Sequence, residues 1–228
     1  MTHEAARNAA FRRHHTGRLL HRIGTLLPQW LSGPELAQGC RDLEQLCWRE
    51  LGYPRQPVFD GDLPTFLMVD ADGYSANLSM PTAPAELAAR MAALELSPLP
   101  PSSLAGKNFI ALARLLSLTQ FELQWLLWSY CIRRFGGAIL PAVPLRDGRH
   151  GCELLALLAN MPIDAVQDAV ASRRLHTWSF LNGISADGEM PSFLSGWLSA
   201  TDQFADWIEQ PYALDSDLLT ALCQAQVS

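Results

Sequence analysis

Over residues 5–31 the apolar side chains Phe11, Leu19, Ile23, Leu26, Leu27 and Trp30 recur at steps of three, four and seven or eight. That is one face of a 3.6-residue period and predicts a helix, which Gly33-Pro34 stops. Leu36, Cys40, Leu43, Cys47 and Leu51 form a second apolar stripe over 35–51, so the chain should open as a helical hairpin. His14, His15 and His21 interrupt the first pattern and are expected on its solvent side. Residues 52–84 lose the period. They are rich in Pro and Gly and hold one strand-like run, Thr65–Val69, followed by the turn-forming Asp70-Ala71-Asp72-Gly73, so an excursion with a small hairpin is expected. Residues 85–96 return to helix, and SPLPPSS over 97–103 marks the internal boundary.

The second half is denser. A short apolar helix is expected over Asn108–Leu116. Thr119 and Glu122 then have the spacing of a capping box, in which each side chain satisfies a backbone N–H at the helix start, and Leu118 and Leu123 sit where a hydrophobic staple needs them. The helix that follows should reach about Phe135, before Gly136-Gly137, and is apolar on most sides, as a central helix must be. Residues 138–150 read as an irregular connection, Glu153–Asn160 as a helix, Met161-Pro162 as a turn, and Ile163–Ala171 as a helix with Ile163, Val166 and Val170 inward. Leu175–Leu181 alternates like a strand, and the turn signals Asn182-Gly183 and Asp187-Gly188 suggest a two-stranded wing. Short helices are expected over Pro191–Ser199 and Thr201–Glu209, and a last one from Asp215 to about Gln224. The fold class is mainly α. It comprises a helical N-terminal subdomain (1–100, with the 52–84 excursion) and a winged-helix-like helical domain (103–228), with one or two short β-hairpins.

Composition narrows the class. Of 228 residues 49% are apolar and 18% charged, which excludes a wholly disordered chain, and no run is long enough for a membrane helix. The net charge of −6 is uneven: residues 1–55 carry +3 and the remainder −9. An acidic body with a mildly basic start is a poor electrostatic footprint for nucleic acid. Five cysteines without CxxC spacing or a secretory leader fit free, buried thiols in a reducing, cytoplasmic setting.

No catalytic, cofactor or metal constellation emerges. Ser103-Leu104-Ala105-Gly106-Lys107-Asn108 lacks both the first Gly and the hydroxyl residue of a phosphate-binding loop and reads as a loop entering a helix. The pairs Asp60/Asp62 and Asp70/Asp72 are explained by turn formation, because the calcium-loop positions counted from Asp70 hold Ser75 and Pro81. The seven Trp are chiefly core residues, and some can line a partner's groove.

Glu153–Ala171 followed by Leu175–Leu181 has the order helix, tight turn, helix, wing. In DNA readers the second helix offers Arg, Lys, Asn or Gln to bases. Here it offers Asp164, Gln167 and Asp168, with Arg173 and Arg174 only after it. The stretches LSLTQFE (116–122), LLALLANMPIDAVQDAVASRRLHTWSFL and FADWIEQPYALDSDLLTAL resemble the region ahead of the ATPase module in a group of large bacterial AAA+ ATPases. The resemblance covers about residues 110–225. It implies a helical, winged-helix-like N-terminal piece of a AAA+ motor, ending before the P-loop, and assigns no catalytic residue. The expected role is therefore a non-catalytic adaptor or regulatory domain that binds a protein partner, with Arg173, Arg174, His176, Trp178, Trp197 and Trp207 as candidate contacts. The alternatives are a DNA-binding winged-helix regulator and a stand-alone helical effector or enzyme. The first needs Arg173, Arg174 and the N-terminal arginines on one positive face; the second needs a cleft with converging polar groups.

Overall fold

A computed structural model of the chain describes residues 3–30, 89, 92–93, 96, 102–134, 143–182 and 190–225. The helix expected over 35–51, the 52–84 excursion with its hairpin, the turns at 183 and 187–188, and most of the helix expected over 85–96 lie outside the described residues.

What is described is mainly helical: α1 (His3–Trp30), α2 (Leu104–Leu115), α3 (Gln120–Arg134), α4 (Gly148–Ala159), α5 (Ile163–Ser172), α6 (Arg174–Thr177), α7 (Leu194–Trp197), α8 (Asp202–Trp207) and α9 (Asp215–Ala225). The capping box forms as the sequence requires. The Thr119 N–H donates to Glu122 Oε2 at 2.8 Å, and the Glu122 N–H donates to Thr119 Oγ1 at 3.2 Å. The helix it starts, α3, is the central one. Phe121, Trp125, Leu126, Trp128, Tyr130 and Cys131 are all buried, and α1, α2, α4, α5 and α8 pack around it.

α1 belongs to the same core, to which it contributes Leu19, Leu20 and Ile23. It also reaches the start of α2 with polar groups. The first N–H groups of a helix have no intrahelical acceptor. In α2 three are met by side chains: Leu104 N–H donates to Glu4 Oε1 (2.7 Å), Ala105 N–H to Asn8 Oδ1 (3.1 Å) and Gly106 N–H to Ser103 Oγ (3.0 Å). Two of the three caps come from a helix about a hundred residues earlier. This explains why α2 begins at Leu104 rather than at Asn108, where the apolar period begins. The segment over 103–108 is thus a capped helix start. His14, expected at the surface, is buried, as are Asn8 and Thr16: α1's docked face is part apolar and part polar.

α4 starts at Gly148, earlier than the expected Glu153, because Asp147 caps it by accepting from the His150 N–H at 2.8 Å. It ends at Asn160, in the left-handed region at φ 53°, and Met161-Pro162 leads into α5. The largest difference from the sequence reading is at 175–181. Instead of a strand, α6 forms one helical turn. Ser179 then adopts φ 54°, and the Phe180 N–H returns to the Leu175 carbonyl at 2.9 Å. Leu175, Phe180 and Leu181 all face inward, a spacing that a turn plus a kink satisfies better than a period of two. Among the described residues, extended pairing is confined to two isolated antiparallel bridges, Leu181 with Ala200 and Pro144 with Phe193. The second is compatible with proline because the ladder bonds come from the neighbours, Leu145 N–H to Ser192 O and Leu194 N–H to Val143 O. With Ser192 held extended, the helix expected over Pro191–Ser199 shrinks to α7. Thr201 caps α8 through the Phe204 N–H.

Trp197, in α7, ties these parts together. Its carbonyl accepts from Trp125 Nε1 at 2.6 Å, its own Nε1 donates to Pro191 O at 3.1 Å, and its ring lies on Gly151 of α4. A Cβ on Gly151 would lie 2.5 Å from Trp197 Cζ2. Gly151→Ala should therefore overpack the core and lower stability by about 2 kcal/mol, a fall of about 4–8 °C in Tm. Thermal denaturation followed by far-UV circular dichroism checks this, and an unchanged Tm would show that the ring is not seated there.

Candidate functional site

The six candidate contacts lie in two environments. Arg173 occupies the left-handed junction between α5 and α6 (φ 52°), with its side chain exposed. Arg174, its neighbour, turns inward. Its Nη1 lies 3.3 Å from Glu122 Oε2 and its Nη2 donates to the Leu116 carbonyl. Glu122 is almost wholly buried, so Arg174 supplies the charge that a buried carboxylate requires. His176 packs edge-on against Trp125, with ring centroids 5.6 Å apart, and its burial lowers its pKa from the ordinary value. Trp197 is in the core.

Trp178 and Trp207 belong to an aromatic row that sequence spacing does not disclose. Trp178 lies nearly parallel to Phe180, with centroids 6.4 Å apart and planes at 23°. Phe180 lies nearly parallel to Trp207 at 6.3 Å and 21°, and Trp207 meets Tyr212 at 5.7 Å. Phe180 is buried and backed by Phe204 at 4.8 Å, whereas Trp178, Trp207 and Tyr212 are partly exposed. The Tyr212 hydroxyl donates to the Trp207 carbonyl at 3.1 Å, and burial pushes its pKa up to about 12. The row is built by the kink at Ser179 and by Thr201, whose hydroxyl donates to the Ser179 carbonyl at 2.8 Å. Phe180 and Trp207 are 27 positions apart in the chain, so their stacking is a product of the tertiary fold.

A second polar centre, also unanticipated, gathers on Glu209. Its Oε1 accepts from Arg12 Nη1 at 2.5 Å and from the Tyr130 hydroxyl at 2.6 Å, and lies 3.2 Å from Arg134 Nε. Arg134 also reaches Asp206 and the Ala205 carbonyl. Burial first, then the hydrogen bond to Glu209 and its charge, hold the Tyr130 hydroxyl far above its ordinary pKa. A phenol so disfavoured as an anion, beside a carboxylate already taken by two guanidinium groups, is suited to joining helices and unsuited to proton transfer. Arg22 is likewise engaged, donating to the Leu158 carbonyl at 2.8 Å with its guanidinium over Trp128. Arg12, Arg22 and Arg174 thus act within the fold and do not share one outward positive face. On α5 the exposed positions include Asp164, Ala165, Gln167 and Asp168.

Cys131 and Cys152 are free and buried, and burial pushes the Cys131 thiol up to about 12. Among the described residues no group of three or more His, Cys, Asp or Glu side chains is placed to hold a metal ion, and no helix is long and apolar enough to cross a membrane. No family model, curated protein or solved structure matches the chain.

The contrast between the adjacent arginines is measurable. Arg174→Ala leaves the buried Glu122 without its cationic partner and should cost about 2 kcal/mol, reduced from the fully buried case by the arginine's own exposure. Arg173→Ala should stay within about 0.5 kcal/mol of the parent. Urea denaturation of the two variants distinguishes them, and equal losses would show that the Glu122–Arg174 pair is not formed.

Proposed function

We propose that the chain is a non-catalytic recognition domain that binds a protein partner and is carried at the N-terminal side of a AAA+ motor. The observation that carries the binding role is the partly exposed aromatic row Trp178–Phe180–Trp207–Tyr212. Large aromatic rings held by a rigid scaffold provide contact area at little entropic cost and are the residues that dominate protein interfaces. Exposed Arg173 lies beside the row in sequence, at the head of the segment leading into it. The AAA+ setting rests on the resemblance over residues 110–225. The helix–turn–helix order of α4 and α5 is compatible with it.

DNA reading is the weaker alternative, for an electrostatic reason. In a winged helix α5 would face the duplex, and its exposed Asp164 and Asp168 would meet phosphates. An enzymatic role has less support, because the most perturbed hydroxyl, Tyr130, is locked into Glu209.

The test uses the partner recovered with the full-length protein and then purified. Trp178→Ala should weaken its binding at least about tenfold, the loss expected when an anchor ring is truncated, while Tm stays within about 3 °C. Titration calorimetry and thermal denaturation read the two quantities. Undiminished binding would remove the aromatic row from the interface. Salt-dependent binding to duplex DNA, abolished by Arg173→Ala, would favour the regulator instead. For the motor, the reading frame past Ser228 should continue into a Gly-rich loop followed by Lys and Ser or Thr; a frame that encodes no such loop removes the ATPase from the reading.

A further inference from the structure

We propose that Arg173 is a recognition residue whose guanidinium binds a carboxylate of the partner, next to the apolar side chain received by the aromatic row. The inference rests on the reading that this row is a protein-binding surface, and it names the chemistry of the partner there. Arg173 closes α5 and opens α6 at φ 52° and ψ 15°. Its N–H donates to the Val170 carbonyl at 3.2 Å, and its carbonyl accepts from the His176 and Thr177 N–H groups at 3.1 and 2.8 Å. Ser172 pins the junction from the preceding side: its hydroxyl donates to the Ala169 carbonyl at 2.7 Å and accepts from the Arg174 N–H at 3.4 Å. These bonds turn the chain so that Arg174 reaches Glu122 and Leu175 enters the core. The fold therefore requires a left-handed residue at 173. Glycine meets that requirement without strain, and asparagine with little. The end of α4 uses asparagine, Asn160 at φ 53°. The end of α5 carries an arginine instead, whose bulk makes the left-handed region unfavourable.

No contact among the described residues accounts for that arginine. Its side chain is exposed, and among the described residues its guanidinium meets no carboxylate, carbonyl or ring. Its charge is felt at His176, where it adds to burial in lowering the pKa, against a backbone hydrogen bond with Asn182. Residues in sparsely populated backbone regions persist where their surroundings over-determine them, and they gather at binding sites. Ser179, at φ 54°, ends the segment that Arg173 begins, and Trp178 lies between the two. Only the single turn of α6 separates Arg173 from Trp178, so a short segment laid over the row also comes within reach of the guanidinium. The carboxylate follows from charge. A guanidinium presents two parallel donors that match its two oxygens. The other cations nearby are engaged, Arg174 by Glu122 and the Leu116 carbonyl, and Arg134 by Asp206 and Glu209. The exposed Asp164 and Asp168, in the preceding turns of α5, repel a run of negative charge. The surface thus suits one Asp or Glu beside an aromatic or large aliphatic residue, and rejects a phosphate backbone.

A charge swap on the full chain tests this. Random peptides displayed on phage and selected on the immobilised protein should carry Asp or Glu close to an aromatic or large aliphatic residue. A synthetic peptide from that pool should bind Arg173→Gly about tenfold more weakly than the parent, and Arg173→Glu more weakly still, as read by titration calorimetry. Replacing the peptide's acid with Lys should restore binding to Arg173→Glu. Arg173→Gly should meanwhile raise Tm by about 2 °C, because glycine removes the left-handed strain; a side chain that held the fold together would give a fall. Selected peptides without an acid, equal affinity for the parent and Arg173→Gly, or a Tm that does not rise would each overturn the proposal. Should acid-free peptides be selected and lose binding in Trp178→Ala, the row stands as the binding surface and the role of Arg173 falls alone. Selection of no peptide at all removes both.

Discussion

The start of α2 is the point on which the described structure depends most. A helix entering a core brings four N–H groups that nothing within the helix can satisfy. Here the local sequence supplies only Ser103; Glu4 and Asn8 of α1 supply the two preceding acceptors. This sets the register of α1 against α2, because the acceptors sit four residues apart on one face and meet successive amides. Once that register is fixed, Leu19, Leu20 and Ile23 fall into the core, Arg12 reaches Glu209, and Arg22 reaches the Leu158 carbonyl. Further along α2, Asn108 repeats the arrangement in the opposite sense, donating to the carbonyls of Ile208 and Gln210 and so closing the end of α8. Polar side chains thus fix the directions in which apolar faces meet.

Arginine is used in the same way. Arg12, Arg22, Arg134 and Arg174 each bond a group remote in sequence, and three of them end on backbone carbonyls at or near helix ends. The guanidinium fork suits this role, since it can meet a carbonyl and a carboxylate or ring at once. Arg12 and Arg22 thus help to dock α1, Arg12 through the carboxylate of Glu209 and Arg22 through the Leu158 carbonyl.

The helices that sequence reveals are those whose signals are local. The Thr119–Glu122 box and the all-round apolar character of α3 depend on residues a few positions apart, and both appear in the structure as expected. The Asp147 cap is as local, yet it was obscured by the glycine and charged residues after it, which read as loop. Leu175–Leu181 alternates, but a left-handed Ser179 achieves the same inward placement with a helical turn, and composition alone does not separate these solutions. The burial of His14, the Glu209 centre and the aromatic row were not legible, because each is completed by residues brought together only by the tertiary fold. Of the residues singled out for a partner, the exposed Arg173 and the inward Arg174 are adjacent and chemically identical; the buried Glu122 and the Leu116 carbonyl, both remote in sequence, draw only Arg174 inward.

Pro144 bears on how the molecule behaves in company. It faces Phe193 across a bridge whose bonds are made by the residues on either side, so its own nitrogen points away from its partner strand, and the residue is exposed. On any other residue that position would offer a free N–H to an approaching extended chain. The pyrrolidine ring removes the donor and places bulk where the newcomer would lie. The short paired segment consequently offers no backbone donor at Pro144 for edge-to-edge growth.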